Sequence, residues 1–287
     1  NIYIYTIYIM TILFIKNSNY PCHTEIIESI IIKYDDILNI AKINNIEIYI
    51  GIQPNTSFKQ YITEKYPNIK FKDINNYDYC ISCTIYDQHF KYLNTDVTSN
   101  TKYISHEITE RLKMNPNVYF LTPLVEKRFI YADILPFSEN KKVSNVPIYI
   151  VQGNLNHNRR NLSLLTKILY QTYNHEFIIK LIGRGHLPEP LIKYKNKIIL
   201  KDNLNFLDYH KEFLDGYCIL PLITKQSHPQ YYTKKLTSTI SYALGYKLKS
   251  IIDKDLQEIY NLPDVEIYND INDIITAFKK TLEYFYK

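Results

Sequence analysis

The segment Ile148-Tyr149-Ile150-Val151-Gln152-Gly153 decides the fold class of the second half of this chain. Its β-branched and aromatic residues are typical of a buried strand, and the glycine that follows favours a tight turn. An amphipathic helix is predicted over Asn161–Tyr173, and the pattern then recurs at Phe177–Ile182, which precedes Gly183. Strands that alternate with helices indicate a parallel sheet that is covered by helices.

The same alternation extends over the whole chain. In the first half it predicts strands at Thr11–Ile15, Ile46–Ile50, Ile69–Phe71, Tyr79–Ile85, Tyr103–Ser105 and Val118–Leu121. In the second half it adds strands at Ile198–Leu200, Tyr217–Leu222 and Lys249–Ile252. A polar hinge at Ser138–Asn145 separates the halves. We therefore predict two tandem Rossmann-like α/β domains with doubly wound parallel sheets, spanning residues 1–140 and 146–287 and facing a cleft.

Composition excludes several classes of protein. The 287 residues suffice for two domains, and 46% of them are hydrophobic, which excludes global disorder. A net charge of +5 is mild and disfavours a main role in nucleic-acid binding. The apolar run Ile2–Ile15 is shorter than the roughly 20 residues of a membrane span and lacks the features of a signal peptide. We therefore expect a soluble, cytoplasmic protein with no membrane span.

Residue usage is biased towards Tyr, Ile, Asn and Lys. The chain has 29 Tyr and 12 Phe but no Trp and only 6 Gly. Such a bias follows from an AT-rich coding sequence, and the composition resembles that of proteins from large AT-rich viruses. It suggests a viral protein acting in the host-cell cytoplasm.

The few glycines of the second half mark a candidate phosphate site. Gly153, Gly183 and Gly185 each follow a predicted strand, at the sheet edge where open α/β sheets bind ligands. Glycine lets backbone N–H groups approach an anion closely. The flanking polar and cationic residues are Asn154, Asn156, Arg159, Arg160 and Arg184. Ordinary tight turns are the alternative explanation, but three glycines on one edge favour a phosphate-bearing ligand.

Two known phosphate motifs are absent. The sequence contains no G-x-x-x-x-G-K-[ST], which excludes a P-loop. Gly183-Arg184-Gly185 lacks the third glycine of a dinucleotide-binding turn. A nicotinamide site is therefore disfavoured.

A third feature of the same domain is the run Thr237-Ser238-Thr239 at the start of a predicted helix. Hydroxyls and unpaired N–H groups at a helix start attract anions. Lys234 and Lys235 precede the run and would add positive charge. Helix capping would explain one hydroxyl, whereas three behind two lysines favour a ligand.

These motifs, in this order, resemble the donor-binding half of a GT-B glycosyltransferase, as found in glycosyltransferase families 1 and 4. The match runs over roughly residues 147–260: Gly153 after its strand, RRN at 159–161, LIGRG at 181–185, LPL at 220–222 and ALG at 243–245. Many retaining members carry two glutamates eight positions apart. The equivalent positions here are Tyr232 and Ile240, and neither is acidic.

The resemblance implies a UDP- or GDP-linked nucleotide-sugar donor and a glycan or other hydroxyl acceptor. The donor diphosphate would lie near Gly153, Arg184 and the 237–239 helix start, with Lys235 as a further cation, and the nucleobase near Lys201-Asp202-Asn203. The implied donor-binding residues are Gly153, Asn154, Arg159, Arg160, Asn161, Gly183, Arg184, Asp202, Tyr232, Lys235, Thr237, Ser238 and Thr239. Hydrogen-bond donors of the protein that are aimed at the leaving diphosphate would replace the metal of GT-A enzymes. Neither an essential metal nor a cofactor is therefore expected.

The general base is expected from the first domain. His23, and the pair His106-Glu107, follow predicted strands of that domain. A neutral imidazole suits the deprotonation of a sugar hydroxyl near pH 7. His106, His23 and Glu107 are therefore the catalytic candidates, although a lone histidine is more often structural or a helix cap.

Two short motifs could indicate metal or redox chemistry, but each has a simpler explanation that we favour. Cys80 and Cys83 form a C-x-x-C within a predicted strand, where residues three apart point to opposite faces, so we predict two buried thiols. Asp253-Lys254-Asp255 matches a D-x-D signature but is predicted to be a solvated turn.

Other functions fit the same architecture. A nucleotide-sugar epimerase or a phosphorylase is the enzymatic alternative, and a non-catalytic nucleotide-sugar-binding module is the other.

Overall fold

The computed structural model describes residues 10–17, 25–43, 45–51, 56–125, 142–156, 159–270 and 272–287. Among them the chain forms two compact units, the first ending at Leu121 and the second starting at Thr122. Residues 126–141 of the predicted boundary region lie outside the described residues. The predicted domain limits, 1–140 and 146–287, therefore stay predictions.

In its described residues the first unit contains one sheet of six parallel strands. These are β1 (Thr11–Asn17), β2 (Ile46–Gly51), β3 (Lys70–Phe71), β4 (Tyr79–Ile85), β5 (Thr101–Ser105) and β6 (Val118–Phe120). They are connected through α1 (Glu25–Leu38), α2 (Thr56–Lys65), a 3-10 helix (Asp87–Tyr92) and α3 (Glu110–Lys113). The order across the sheet is β3-β2-β1-β4-β5-β6, which is the order of dinucleotide-binding folds.

The second unit also has a six-stranded parallel sheet. Its strands are β7 (Ile148–Asn154), β8 (Ile178–Arg184), β9 (Ile198–Asp202), β10 (Cys218–Ile219), β11 (Lys249–Asp253) and β12 (Val265–Tyr268). Its helices are α4 (Leu162–Thr172), a 3-10 helix (Glu189–Lys197), α5 (Phe206–Lys211), α6 (Gln230–Thr233), α7 (Ser238–Gly245), α8 (Lys254–Tyr260) and α9 (Asp273–Phe285). The order β12-β11-β10-β7-β8-β9 repeats that of the first unit.

Both faces of the second sheet are buried, as expected for parallel strands covered by helices. Along β7, Tyr149 and Val151 belong to one apolar cluster, while Ile150 belongs to the cluster on the other side. The first cluster includes Phe278 of α9, and the second includes Ile240 of α7. Because successive residues of β7 are apolar, both faces of the strand can be buried, which suits its position in the middle of the sheet.

The predicted α/β fold class is confirmed, with differences in detail. The strand predicted over Tyr217–Leu222 is confined to Cys218–Ile219. The pattern did not predict β12, a four-residue edge strand in which Glu266 interrupts the apolar run. The segment predicted as a solvated turn instead starts α8, where the Asp253 carboxylate accepts hydrogen bonds from the N–H groups of Asp255 and Leu256.

Each sheet has one point where the chain reverses its direction of progress through the strand order. These points lie between β1 and β4 and between β7 and β10. In open α/β sheets, ligands bind outside the carboxyl ends of the strands at this position. We therefore expect a ligand to bind near the residues that follow these strands.

Candidate functional site

The carboxyl end of β7 is lined by glycine backbone. Gly153 has a φ of +112°, a region that disfavours residues with a Cβ atom. It is paired in register with Gly183 of β8. A Cβ atom on Gly183 would lie 1.7 Å from the carbonyl oxygen of Gly153. Only glycine at position 183 permits the two strands to run this close together where they end.

Arg160 lies directly behind this glycine turn. Its side chain is buried, with 4% exposure. Nε donates to the carbonyl oxygen of Gln152 at 2.9 Å, and Nη2 donates to the same oxygen. Nη1 donates to the carbonyl oxygen of Arg159 at 2.7 Å. Burial lowers the pKa of Arg160, because desolvation disfavours the charged guanidinium.

The start of α7 is joined to the end of β7 by side-chain hydrogen bonds. The Thr239 hydroxyl donates to Oε1 of Gln152 at 3.0 Å and accepts from Nη2 of Arg160 at 3.1 Å. The Gln152 amide donates to the hydroxyls of Tyr209, at 2.7 Å, and Ser238, at 3.3 Å. The predicted cluster of hydroxyls thus lies beside the predicted glycine turn and is joined to it by hydrogen bonds.

The three hydroxyls differ in exposure. Thr237 and Thr239 are buried, with 2% and 0% exposure, whereas Ser238 is half-buried. Thr237 donates to the Thr239 hydroxyl at 3.4 Å. Ser238 is therefore the one of the three best placed for a bound molecule, and the two threonines connect structural segments.

The edge is rich in positive charge. Arg159 and Arg184 are exposed there, and Arg184 is paired in register with Asn154, which is also exposed. Asn161 precedes α4, and its N–H donates to the carbonyl oxygen of Leu222 at 2.6 Å, which ties the turn to the segment after β10. Helices α4 and α7, with 11 and 8 residues, both begin at this edge and add partial positive charge. The arrangement suits an anion.

The other predicted donor residues lie around this edge. Asp202 ends β9 opposite Gly183 and is half-buried, and its carboxylate accepts from the amide of Asn203 at 3.0 Å. Lys235 is half-buried between α6 and α7. Tyr232 is buried and donates to the carbonyl oxygen of Ile223 at 3.2 Å. Ile240 is fully buried, so the position of the second family glutamate is occupied by a core residue.

Sequence reasoning missed Gln152 and Tyr209. Gln152 has 4% exposure and is the polar residue to which Arg160, Thr239 and Tyr209 all bond. A glutamine at the end of an otherwise apolar strand was the available signal.

The catalytic candidates belong to the first unit. His106 and Glu107 follow β5 and are half-buried. The Ser105 hydroxyl fixes this turn by donating to the carbonyl oxygens of Ile85, at 3.0 Å, and Glu107, at 2.9 Å. His23 lies outside the described residues. His106 is therefore the candidate base that the described structure places at a strand end.

The cysteine prediction is confirmed. Cys80 and Cys83 are buried thiols that form no disulfide, and burial raises the pKa of Cys80 to about 11. Within the described ranges, no group of three or more His, Cys, Asp or Glu side chains is arranged to hold a metal ion. Asp255 of the D-x-D segment pairs instead with Lys225 at 3.0 Å.

A membrane crossing needs a helix that is both long and strongly apolar, and none in the described part of the chain meets these two conditions.

Comparison with known proteins identifies the fold. No family model matches the chain, and no curated protein matches it in sequence. AviGT4, a glycosyltransferase involved in avilamycin A biosynthesis, is 8% identical with a TM-score of 0.60, over 94% of this chain and 88% of that one. WaaB, a lipopolysaccharide outer core galactosyltransferase, is 12% identical with a TM-score of 0.50, over 97% and 92%.

The O-GlcNAc transferase of Thermobaculum terrenum is 9% identical with a TM-score of 0.50, over 95% of this chain and 60% of that one. UDP-GlcNAc 2-epimerases are also similar, at TM-scores of 0.48 and 0.49. The chain has the two-domain α/β fold of GT-B glycosyltransferases.

Proposed function

We propose that this protein is a glycosyltransferase that transfers a sugar from a nucleotide-diphosphate sugar to an acceptor hydroxyl without an essential metal ion. The observation that carries the proposal is the cation-rich, glycine-lined edge at the β7/β10 switch point, on a fold shared with glycosyltransferases. An edge of this kind suits a diphosphate, because backbone N–H groups and nearby cations stabilise its charge.

In the proposed reaction, an acceptor oxygen attacks the anomeric carbon of the donor sugar. The bond between that carbon and the diphosphate oxygen breaks, and the nucleoside diphosphate leaves with the electron pair. Arg184, the helix starts at α4 and α7, and Lys235 would stabilise the negative charge that develops on the leaving group. His106 would accept the acceptor proton as general base.

The test is incubation with a panel of UDP- and GDP-sugars in the presence of candidate hydroxyl acceptors, followed by analysis of products. Transfer of the sugar supports the proposal. An isomerised sugar would instead identify an epimerase, and binding without turnover would identify a binding module. Failure of every donor to bind would refute the assignment of the site.

Variants of two cations at this edge make the test specific. Arg184→Ala and Lys235→Ala should each weaken donor binding roughly ten- to hundredfold, because a charge-assisted hydrogen bond is worth about 1.5–3 kcal/mol. Lys279→Ala is the matched control, since Lys279 is exposed on α9. Equal donor affinity in all three variants would contradict the proposed donor site.

A further inference from the structure

Arg160 occupies a place that a direct ligand of a bound molecule cannot take. It has 4% exposure, and each of its three nitrogens donates to the protein itself. The acceptors are the carbonyl oxygens of Gln152 and Arg159 and the hydroxyl of Thr239. These bonds join the end of β7, the turn before α4 and the start of α7. The side chain is therefore committed to holding three segments together.

Among the residues that the structure describes, no nearby carboxylate balances the charge of Arg160. Its hydrogen-bond acceptors are all neutral, and the phenol of Tyr231 is a further neutral partner. In the parts of the chain that the structure describes, no Asp or Glu forms an ion pair with it. Burying a charge without a counter-charge costs several kcal/mol. A positive charge is thus fixed behind the glycine turn at a free-energy cost to the folded protein.

The turn also depends on Arg160 sterically. A Cβ atom on Gly153 would lie 2.6 Å from Nη2 of Arg160, so the guanidinium packs directly against the backbone at that position. The planar guanidinium presents its donors in a fixed fork, which a lysine ammonium cannot reproduce. Both shape and charge at this point come from one side chain.

We propose that Arg160 is a positioning residue for the donor diphosphate. It holds Gly153 and the start of α7 in place, and it supplies positive potential from behind the anion site without touching the ligand. This inference rests on the proposed function, since it assumes that a diphosphate binds at this edge. It differs from the sequence-based expectation that Arg160 contacts the donor itself.

The experiment compares Arg160→Met and Arg160→Lys with the wild-type protein. Affinities for UDP and GDP are measured by calorimetry, and affinities for uridine and guanosine by NMR titration. Arg160→Met should weaken the binding of the diphosphates roughly ten- to hundredfold, and the binding of the uncharged nucleosides less than about threefold. Arg160→Lys keeps the charge but loses the fork, so its loss of diphosphate affinity should be smaller than that of Arg160→Met. Thermal unfolding of each ligand-free variant reports any loss of stability separately.

Two results would overturn the inference. One is equal weakening of diphosphate and nucleoside in Arg160→Met, which would make the residue merely structural. The other is wild-type diphosphate affinity in that variant. If Arg160→Met does not fold, Arg160→Lys tests the inference. The inference then requires that Arg160→Lys loses diphosphate affinity while its nucleoside affinity stays near wild type. Arg159→Met is the matched control, because Arg159 is an exposed neighbour. The loss of diphosphate affinity in Arg159→Met should diminish with added salt, whereas the loss in Arg160→Met should persist.

The proposed function can fail separately. Wild-type protein that binds UDP or GDP but transfers no sugar would refute glycosyl transfer and leave the role of Arg160 intact. Wild-type protein that transfers sugar while Arg160→Met keeps full diphosphate affinity would refute the role of Arg160 alone. If the wild type binds neither nucleotide, both proposals are wrong.

Discussion

Replacement of Gly183 by alanine should destabilise the second unit severely. The added Cβ atom would lie 1.7 Å from the carbonyl oxygen of Gly153, whereas real Cβ contacts are not shorter than 3.0 Å. Strands β7 and β8 must therefore separate by roughly 1.3 Å at this point. Such a shift breaks about two ladder hydrogen bonds at about 1 kcal/mol each and adds about 1–3 kcal/mol of overpacking. The expected cost is about 3–5 kcal/mol beyond any backbone strain.

Gly185→Ala is the matched control. Gly185 also has a positive φ, +131°, but a Cβ atom there would lie 3.3 Å from Cβ of Leu155, a close contact that needs a shift of only a few tenths of an ångström. It should cost mainly the backbone strain, about 1–3 kcal/mol.

Amide hydrogen exchange, followed by mass spectrometry in peptides from β7 and β8, measures the difference directly. Exchange in Gly183→Ala should be at least roughly a hundred times faster than in Gly185→Ala, since 1.4 kcal/mol corresponds to tenfold. Rates within about fivefold of each other would refute the close approach of the two strands.

Three further outcomes are expected. His106→Ala should lower the rate of sugar transfer by about 10²–10⁴-fold while donor affinity stays near wild type, and an unchanged rate would assign the base elsewhere. Donor binding measured by calorimetry should survive EDTA, and its loss with recovery on adding magnesium or manganese would show that a metal is needed. Asp253→Asn should be more stable than the wild type at pH 7 in urea unfolding. Burial raises the pKa of Asp253, so the folded protein holds this proton to higher pH than the unfolded chain, and stability is lost as pH rises through the folded pKa. Asparagine keeps the helix cap, so the difference between the two proteins should vanish below about pH 4, and a less stable variant at pH 7 would contradict this explanation.

The sequence predicted the described strands other than β12, and the glycine-lined edge, because both depend on local patterns. Gly153 and Gly183 follow long apolar runs, and such glycines at strand ends are readable without knowledge of the fold. Gln152 could not be identified in this way, because its partners Tyr209 and Thr239 lie 57 and 87 residues away in sequence.

The same reason explains the buried Lys180. Its strand was predicted, but a lysine within it has 3% exposure, and its partners Glu212 and Asp215 come from a distant segment of the chain. Tertiary ion pairs of this kind leave no periodic pattern. Likewise, the hydroxyls at 237–239 were predicted to gather at the edge, but which of them points inward depends on Arg160 and Gln152.

The strand order of the second sheet has a consequence for synthesis of the chain. β7 is made first yet lies in the middle of the sheet, between β8 and β10. It can pair with β8 soon after both emerge, but its other neighbour begins at Cys218, roughly sixty residues after β7 ends. At about 5–20 residues per second, the ribosome needs on the order of 3–12 s to supply it. During that interval an apolar strand has one open edge that invites pairing with other chains. Nascent chains arrested before Cys218 should therefore be cleaved by protease within β7, and chains arrested after β10 has emerged should be protected.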